Sequence, residues 1–318
     1  LLPRILRDSD LTDPIAPRRN VPLAGFTTFG IGGPADLLLD VHAEEEVVAT
    51  CARLRSEGQS LTFLGGGSNV LVGDLGVRGA VLRFHGGAVS RPGADLVRVE
   101  AGVTVNGLVR WCIAHGLGGF EAWAGTPGTL GGAVYGNAHF HGRLMSEVVA
   151  RASLLDRSGE TRVEAASRLG FGYDASRLQT TGEALLWVEI RVHEADPAEL
   201  RKTARESLTF RKRTQPLALP SAGCIFQNPE KERHLLPAGI PCSAGALIDR
   251  VGLKGERRGA ARISPVHANF FVNEGGATAA DVCALIQEAK RRVHESFGIE
   301  LREEIVRLGE FPTERGRV

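Results

Sequence analysis

Apolar positions along the chain fall into two periods. Between residues 43 and 56, Val47, Val48, Cys51 and Leu54 lie at i, i+1, i+4 and i+7, which is one helical face. Glu44, Glu45 and Glu46 fill the first turn, Arg53 and Arg55 the last, and Gly58 follows, so the end charges suit the helix dipole. Residues 60–64 predict a short strand running into a glycine loop. Val97, Val99 and Ala101 alternate as a half-buried strand, and Val105, Leu108, Val109, Cys112 and Ile113 repeat at helical spacing behind Thr104 as N-cap, with Gly116 beyond. A strand is predicted over 185–192, a boundary in the charged stretch 193–199, then a basic helix ending near Phe210-Arg211-Lys212-Arg213 and a loop over 216–229. Alternation over 269–273 predicts a strand. Thr278 with Asp281 opens a helix whose Val282, Leu285, Ile286, Ala289, Val293 and Phe297 share a face that Gly298 closes, and a strand over 299–308 ends the pattern. This order predicts a small α+β unit distinct from the glycine-rich half. The first twenty residues hold three prolines and several charges and read as a loose arm, with order beginning near Val21.

Length allows two or three domains with real cores, since the chain has 318 residues. Forty glycines call for many tight turns or close backbone approaches. Balanced charge, +1 from 38 basic and 37 acidic residues, provides no global field for a nucleic acid or an anionic membrane but allows a local anion site. Five cysteines without a CxxC pair read as free thiols in a reducing compartment. No apolar run is long enough to span a bilayer, and Pro3, Arg4, Arg7 and Asp8 stand where a signal sequence needs an apolar core, so a cytoplasmic protein is expected.

The candidate chemistry begins with Gly65-Gly66-Gly67-Ser68-Asn69, where consecutive N–H groups carry no obstructing side chains and can form a nest for a pyrophosphate. The spacing fits neither a Rossmann fingerprint nor a P-loop. A plain tight turn would account for this loop alone. A second glycine-rich segment over 124–138 is expected to be a loop, and together the two suggest walls around one large dinucleotide. His139 and His141 form an HxH pair with no third ligand at metal spacing, so they read as surface or loop histidines and no metal is expected.

Five motifs follow one another along the chain: Thr28-Phe29-Gly30-Ile31-Gly32-Gly33-Pro34-Ala35, Leu64-Gly65-Gly66-Gly67-Ser68-Asn69-Val70-Leu71, the 124–137 segment, Ser221-Ala222-Gly223-Cys224-Ile225-Phe226-Gln227-Asn228-Pro229, and Ala244-Gly245-Ala246-Leu247-Ile248-Asp249 with Gly252-Leu253-Lys254-Gly255. In this order they resemble the UDP-N-acetylenolpyruvoylglucosamine reductase family. The resemblance covers about Val21 to Gly309, and the short stretch between Phe171 and Ser221 looks like the family's compact second type. It implies an α+β protein: an FAD-binding fold of the vanillyl-alcohol-oxidase (PCMH) type, in two lobes over 21–195, after an arm over 1–20, and a C-terminal α+β substrate-binding domain over 196–318. It also implies non-covalent FAD, NADPH as the hydride-donating co-substrate, and a UDP-sugar as the partner, with neither nucleic acid nor membrane involved.

Position by position, the resemblance implies that Gly65, Gly66, Gly67, Ser68 and Asn69, with Gly125, Thr126, Pro127, Gly128, Gly131 and Gly132, hold the FAD diphosphate and flank the flavin. NADPH would deliver hydride to flavin N5, the enolpyruvyl methylene would take it, and Cys224 would protonate the neighbouring carbon. A thiol of ordinary pKa near 8.5 is mostly protonated at neutral pH and is competent for this. Glu304 matches the carboxylate that closes the site, in a strand that shares its side with Val306 and Leu308. Lys212, Asn228, His267 and Tyr173 fall where substrate or NADPH phosphate is contacted. One position departs from the family: after Phe171-Gly172-Tyr173 an arginine is usual, and here Asp174 stands, followed by Ala175-Ser176-Arg177. Either Arg177 reaches the site from a shifted backbone or another cation serves. Two rivals remain: a flavin-dependent oxidase of the same fold, which would share the glycine loops but not the SAGCIFQNP and C-terminal glutamate motifs, and a non-catalytic nucleotide-binding homologue, which the missing arginine would favour.

Overall fold

The computed structural model describes residues 16–140, 142–230 and 239–312. Most of the expected N-terminal arm, with His141, lies outside them. The first described element, Arg18–Pro22, starts three residues before the sequence suggests, because it pairs antiparallel with Pro34–Val41. That pair opens a four-stranded sheet in which Pro34–Val41, Val77–Phe84 and Leu61–Leu64 run parallel. The helix Glu44–Ser56 covers it, burying Val47, Cys51 and Leu54 against Leu39, Val41, Leu82 and Phe84. Leu155, Leu186 and Trp187 of a second lobe enter the same cluster, so the two lobes share apolar packing.

The second lobe is an antiparallel sheet ordered Thr161–Ala165, Val149–Leu155, Ala184–Arg191, Leu96–Glu100 and Val89–Gly93. The helix Val105–Ala114 is capped by Thr104, whose hydroxyl accepts from the Gly107 N–H. The 124–138 segment, expected as a loop throughout, contains the helix Leu130–Tyr135. Leu130, Ala133 and Val134 are buried and Thr129 caps the first turn, so packing outweighs the ~1 kcal/mol that each helical glycine costs. The helix Pro197–Thr214 packs on this lobe and not on the C-terminal unit: Ala204 joins the cluster of Leu108 and Trp123, and the Ser207 hydroxyl donates to the Ala122 carbonyl. The charged stretch that suggested a boundary begins instead as an edge strand, His193–Glu194, paired with Leu117–Gly118.

The C-terminal unit packs the helices Ala244–Arg250 and Ala279–Phe297 against the antiparallel strands Arg257–Arg258, Ala261–Ile263 and Phe271–Asn273. Its long helix has the predicted capping box and Gly298 end, and the Asp74 carboxylate of the first lobe also accepts the Ala279 and Ala280 N–H groups. Phe29, Ile31 and Leu71 of the first lobe lie inside its core. Of the strand expected over 299–308, only Val306–Leu308 forms, parallel to Val70–Val72. The residues before it bury Ile299, Leu301 and Ile305 in the core and run beside the Cys224 segment without a continuous ladder.

Candidate active site

The two glycine loops touch. A Cβ at Gly65 would stand 2.6 Å from the Thr129 hydroxyl oxygen, one at Gly66 2.5 Å from the Gly128 Cα, and one at Gly128 2.5 Å from the Ser68 hydroxyl oxygen. The glycines are thus required by loop against loop contact. The same packing leaves a row of donors: the N–H groups of Gly66, Gly67, Ser68 and Asn69 meet no protein acceptor among the described residues. Consecutive unpaired N–H groups form an anion nest, and a cofactor diphosphate fits it. The second wall is held by Asn106, which accepts the Gly125 N–H and donates to the Thr126 carbonyl. From behind, Arg211 donates to the Thr126 hydroxyl and stacks 3.7 Å from the centre of the Phe140 ring. Burial pulls its guanidinium down to about 10. Gly131 lies against Ala101, and the Gly132 N–H is taken by Thr129.

At the end of this cradle a second group gathers from four distant stretches. Ile225 and Phe226 are buried anchors, and Asn269 clamps them: its carboxamide accepts the Phe226 N–H and donates to the Phe226 carbonyl, while its own carbonyl takes the Ile225 N–H. This fixes Cys224, paired across to Phe270, at the mouth of the pocket. The 302–304 segment lies antiparallel to it, with the Gln227 N–H on the Arg302 carbonyl and the Glu304 N–H on the Ile225 carbonyl, 2.9 and 2.8 Å apart. Asn69 of the nest donates to the Glu304 carbonyl, which ties cradle and carboxyl together. Cys224 keeps some exposed surface, but protein crowding around its thiol pushes its pKa far up, and Glu304 and Asp174 add to the rise. Burial, then the Asp174 charge, raises Glu304 to about 8, with His139 opposing.

Tyr173 and Asp174 form the third side. The turn 172–175 is tied to the helix Leu130–Tyr135 by Asn137, which donates to the Gly172 carbonyl, and by Ser176, which donates to the Tyr135 carbonyl. Asp174 sits in the left-handed region with φ of 51° and meets His139 Nδ1 at 2.9 Å. Burial, aided by Asp174 and Glu304, raises the Tyr173 phenol to about 12.

Two family models match the chain: an FAD binding domain over residues 35–164 and the C-terminal domain of UDP-N-acetylenolpyruvoylglucosamine reductase over 215–308. A reductase of that name from Anaeromyxobacter dehalogenans is 43% identical over 92% of this chain and 86% of its own length, and one from Heliobacterium modesticaldum is 39% identical over 91% and 90%. The chain belongs to the UDP-N-acetylenolpyruvoylglucosamine reductase family. The crystal structure of the reductase from Thermus caldophilus superposes with a TM-score of 0.77 at 35% identity, covering 92% of this chain and 99% of that one. The fold is the FAD-binding type joined to the reductase C-terminal domain, and FAD is the cofactor.

Within this reductase fold the residues singled out by sequence separate into three groups. Gly65, Gly66 and Ser68 touch the 127–129 stretch directly, Gly125 and Thr126 are held by Asn106 and Arg211, and Gly131 lies against Ala101. Cys224, Glu304 and Tyr173 meet at the end of this cradle, and Asn228 joins them, its amide 3.5 Å from the Tyr173 hydroxyl and its carbonyl oxygen accepting the Ala244 N–H. The other three residues stand apart. Arg177 does not replace the missing arginine: its guanidinium donates to Glu183 and to the Arg168 carbonyl and reaches neither Cys224 nor Glu304. The buried Glu183 carboxylate holds it on the far side of the turn. Lys212 is exposed at the end of its helix, and its neighbour Arg211 is the cation that meets the cradle. His267 packs edge-on to Phe270, accepts the Asn269 N–H at 3.2 Å, and has its pKa lowered by burial and then by Lys254. Nor is His139 a loose surface histidine, because Asp174 holds it half-buried. Sequence reading passed over Asn269, Asn106 and Arg211. A polar residue inside the apolar run Ala268 to Val272 was the available signal for Asn269.

Proposed function

We propose that this chain reduces the enolpyruvyl ether of UDP-N-acetylglucosamine enolpyruvate to UDP-N-acetylmuramate with NADPH, in the cytoplasm, as a step of peptidoglycan precursor synthesis. The observation that carries this reading is the placement of Cys224 and Glu304, both favoured in their protonated forms at neutral pH, at the end of a donor-lined glycine cradle. When bound, FAD supplies the relay of hydride from the nicotinamide to the alkene. The chain's own work is to hold the diphosphate on the 66–69 N–H groups, to shut water from the alkene, and to deliver one proton. The methylene carbon gains the hydride, the carbon bearing the carboxylate gains the Cys224 proton, and the thiolate regains a proton from solvent. Because the thiol is pushed far up, its ionisation does not set the alkaline limit of turnover. Glu304, at about 8, does. Asn228 and Tyr173 face the same pocket and are assigned to substrate, His267 flanks it through Asn269, and Lys212 is left as an exposed cation for a phosphate.

Anaerobic mixing separates the two halves. NADPH should bleach the flavin equally in wild type and Cys224→Ala, because no protein acid is needed there. Reoxidation by the enolpyruvyl nucleotide should slow by about 10³-fold or more in Cys224→Ala and recover largely in Cys224→Ser. Equal slowing of both halves would reduce Cys224 to a packing residue.

A further inference from the structure

Around Cys224 the described residues bring together acids with few cations. Glu304 and Asp174 both act on the thiol, and Asp174 acts on Glu304. Arg177 is held by Glu183, and Arg211 is spent on Thr126 and Phe140. Among the described residues the base that meets these acids is His139, whose Nδ1 lies 2.9 Å from Asp174 Oδ1. Its Nε2 donates to nothing among the described residues, and its ring tilts against Tyr173 at 5.2 Å between centres. The Asp174 side chain is 7% exposed and its second oxygen, Oδ2, is buried without a partner, so the carboxylate needs a positive neighbour.

We propose that His139, ion-paired with Asp174, supplies the positive charge that holds the enolpyruvyl carboxylate and offsets the negative charge developing beside it, an inference that rests on the reductase reading above. A substrate carboxylate brought among these acids without a cation would be repelled. An imidazolium whose Nδ1–H is fixed by a carboxylate turns its Nε2–H outward as a donor of fixed direction, and Asp174 serves as its positioning residue. The groups facing His139 favour the charged form: the hydrogen bond from Asp174 raises it most, burial opposes, and the charges of Asp174 and Glu304 add to the rise. Tyr173 leans against it as a neutral phenol, Arg143 on the paired strand is exposed, and Arg211 sits beyond the Phe140 ring.

The test compares wild-type holoenzyme with His139→Gln and Asp174→Asn near pH 6.5. Perturbation of the oxidised flavin spectrum is titrated with the enolpyruvyl nucleotide and with UDP-N-acetylglucosamine, which lacks the carboxylate. His139→Gln should weaken the first ligand by about 10- to 100-fold, the range for one charge-assisted hydrogen bond, and leave the second unchanged. Reoxidation by the enolpyruvyl nucleotide should fall by about 10²–10³-fold with NADPH bleaching intact. In Asp174→Asn, nitrogen NMR of the imidazole should show its pKa falling, and affinity for the enolpyruvyl nucleotide, but not for UDP-N-acetylglucosamine, should recover as pH is lowered through that new value, a link a merely structural aspartate would not show. Wild type that reoxidises normally while His139→Gln matches it, or equal loss of both ligands, overturns this proposal alone. Wild type that bleaches with NADPH but never reoxidises with the nucleotide overturns it together with the reductase reading.

Discussion

The glycine cradle and the group around Cys224 adjoin, yet they are made of different material. The cradle is backbone: its donors are main-chain N–H groups, and a Cβ at Gly66 would run into the Gly128 backbone, while at Gly128 the φ of 99° disfavours any side chain. The pocket is side chain: a thiol, two carboxyls, a phenol and an imidazole whose protonation is set by burial and by one another. A site built from backbone fails when its shape changes. A site built from titrating groups keeps its shape while its chemistry is retuned.

Substituting one residue in each region separates these behaviours. Gly66→Ala drives a methyl to 2.5 Å from the Gly128 Cα, which is backbone on both sides and cannot swing away. Overpacking of that kind costs ~1–3 kcal/mol, and an equal loss at the nest would weaken FAD by up to about 100-fold. The flavin-to-protein absorbance ratio after gel filtration should collapse for Gly66→Ala and stay at the wild-type level for Cys224→Ala. A yellow Gly66→Ala protein with normal affinity would show that the close loop contact is dispensable.

Asn269 tests whether the pocket has any backbone dependence of its own. Truncation to Ala strands the N–H and carbonyl of Phe226, which is 1% exposed, and an unsatisfied buried group costs ~1–3 kcal/mol. Melting should fall by several degrees, and reoxidation should slow more than NADPH bleaching because Cys224 loses its anchor. Asn269→Asp should be worse than Asn269→Ser, since a buried charge would face the Phe226 carbonyl. Unchanged melting in Asn269→Ala would mean that water takes over both bonds.

The contrast in material also explains what the sequence made legible. Glycine runs announce backbone geometry directly, so the nest at 65–69 and the wall at 125–132 could be found without a structure. Cys224 and Glu304 came from motif and spacing. The His139–Asp174 pair spans 35 positions and depends on a left-handed turn at Asp174 that no periodicity signals. Arg177 looked available because its count from Tyr173 was short, but Glu183, six residues further on, captures it. The helix Pro197–Thr214 packs on the glycine-rich lobe although the sequence suggests a boundary before it, for a related reason: charge marks a solvated surface, and a solvated edge strand looks like a linker until its partner at Leu117–Gly118 is known.

The smallest expected effect reads the pocket's electrostatics in stability. Glu304 has an ordinary carboxyl pKa of about 4.5 when unfolded and about 8 in the folded chain, raised first by burial and then by Asp174. Between those values the folded protein holds a proton that the unfolded chain has released, so stability falls as pH rises through this window and levels off above about 8. Glu304→Gln keeps the shape and removes the titration. The variant should therefore melt with the wild type near pH 4, pull ahead by a few degrees as pH approaches the folded value, and gain nothing more beyond it. Turnover follows the opposite logic: wild type loses its protonated carboxyl over the upper part of that window, whereas Glu304→Gln should lose that limb and run slowly at every pH. The Gly66→Ala chain, in which no titrating group is altered, should show the wild-type pH dependence of melting at a lower temperature throughout. A melting difference for Glu304→Gln that does not grow with pH would place the carboxyl in solvent and leave backbone and side chain under one rule.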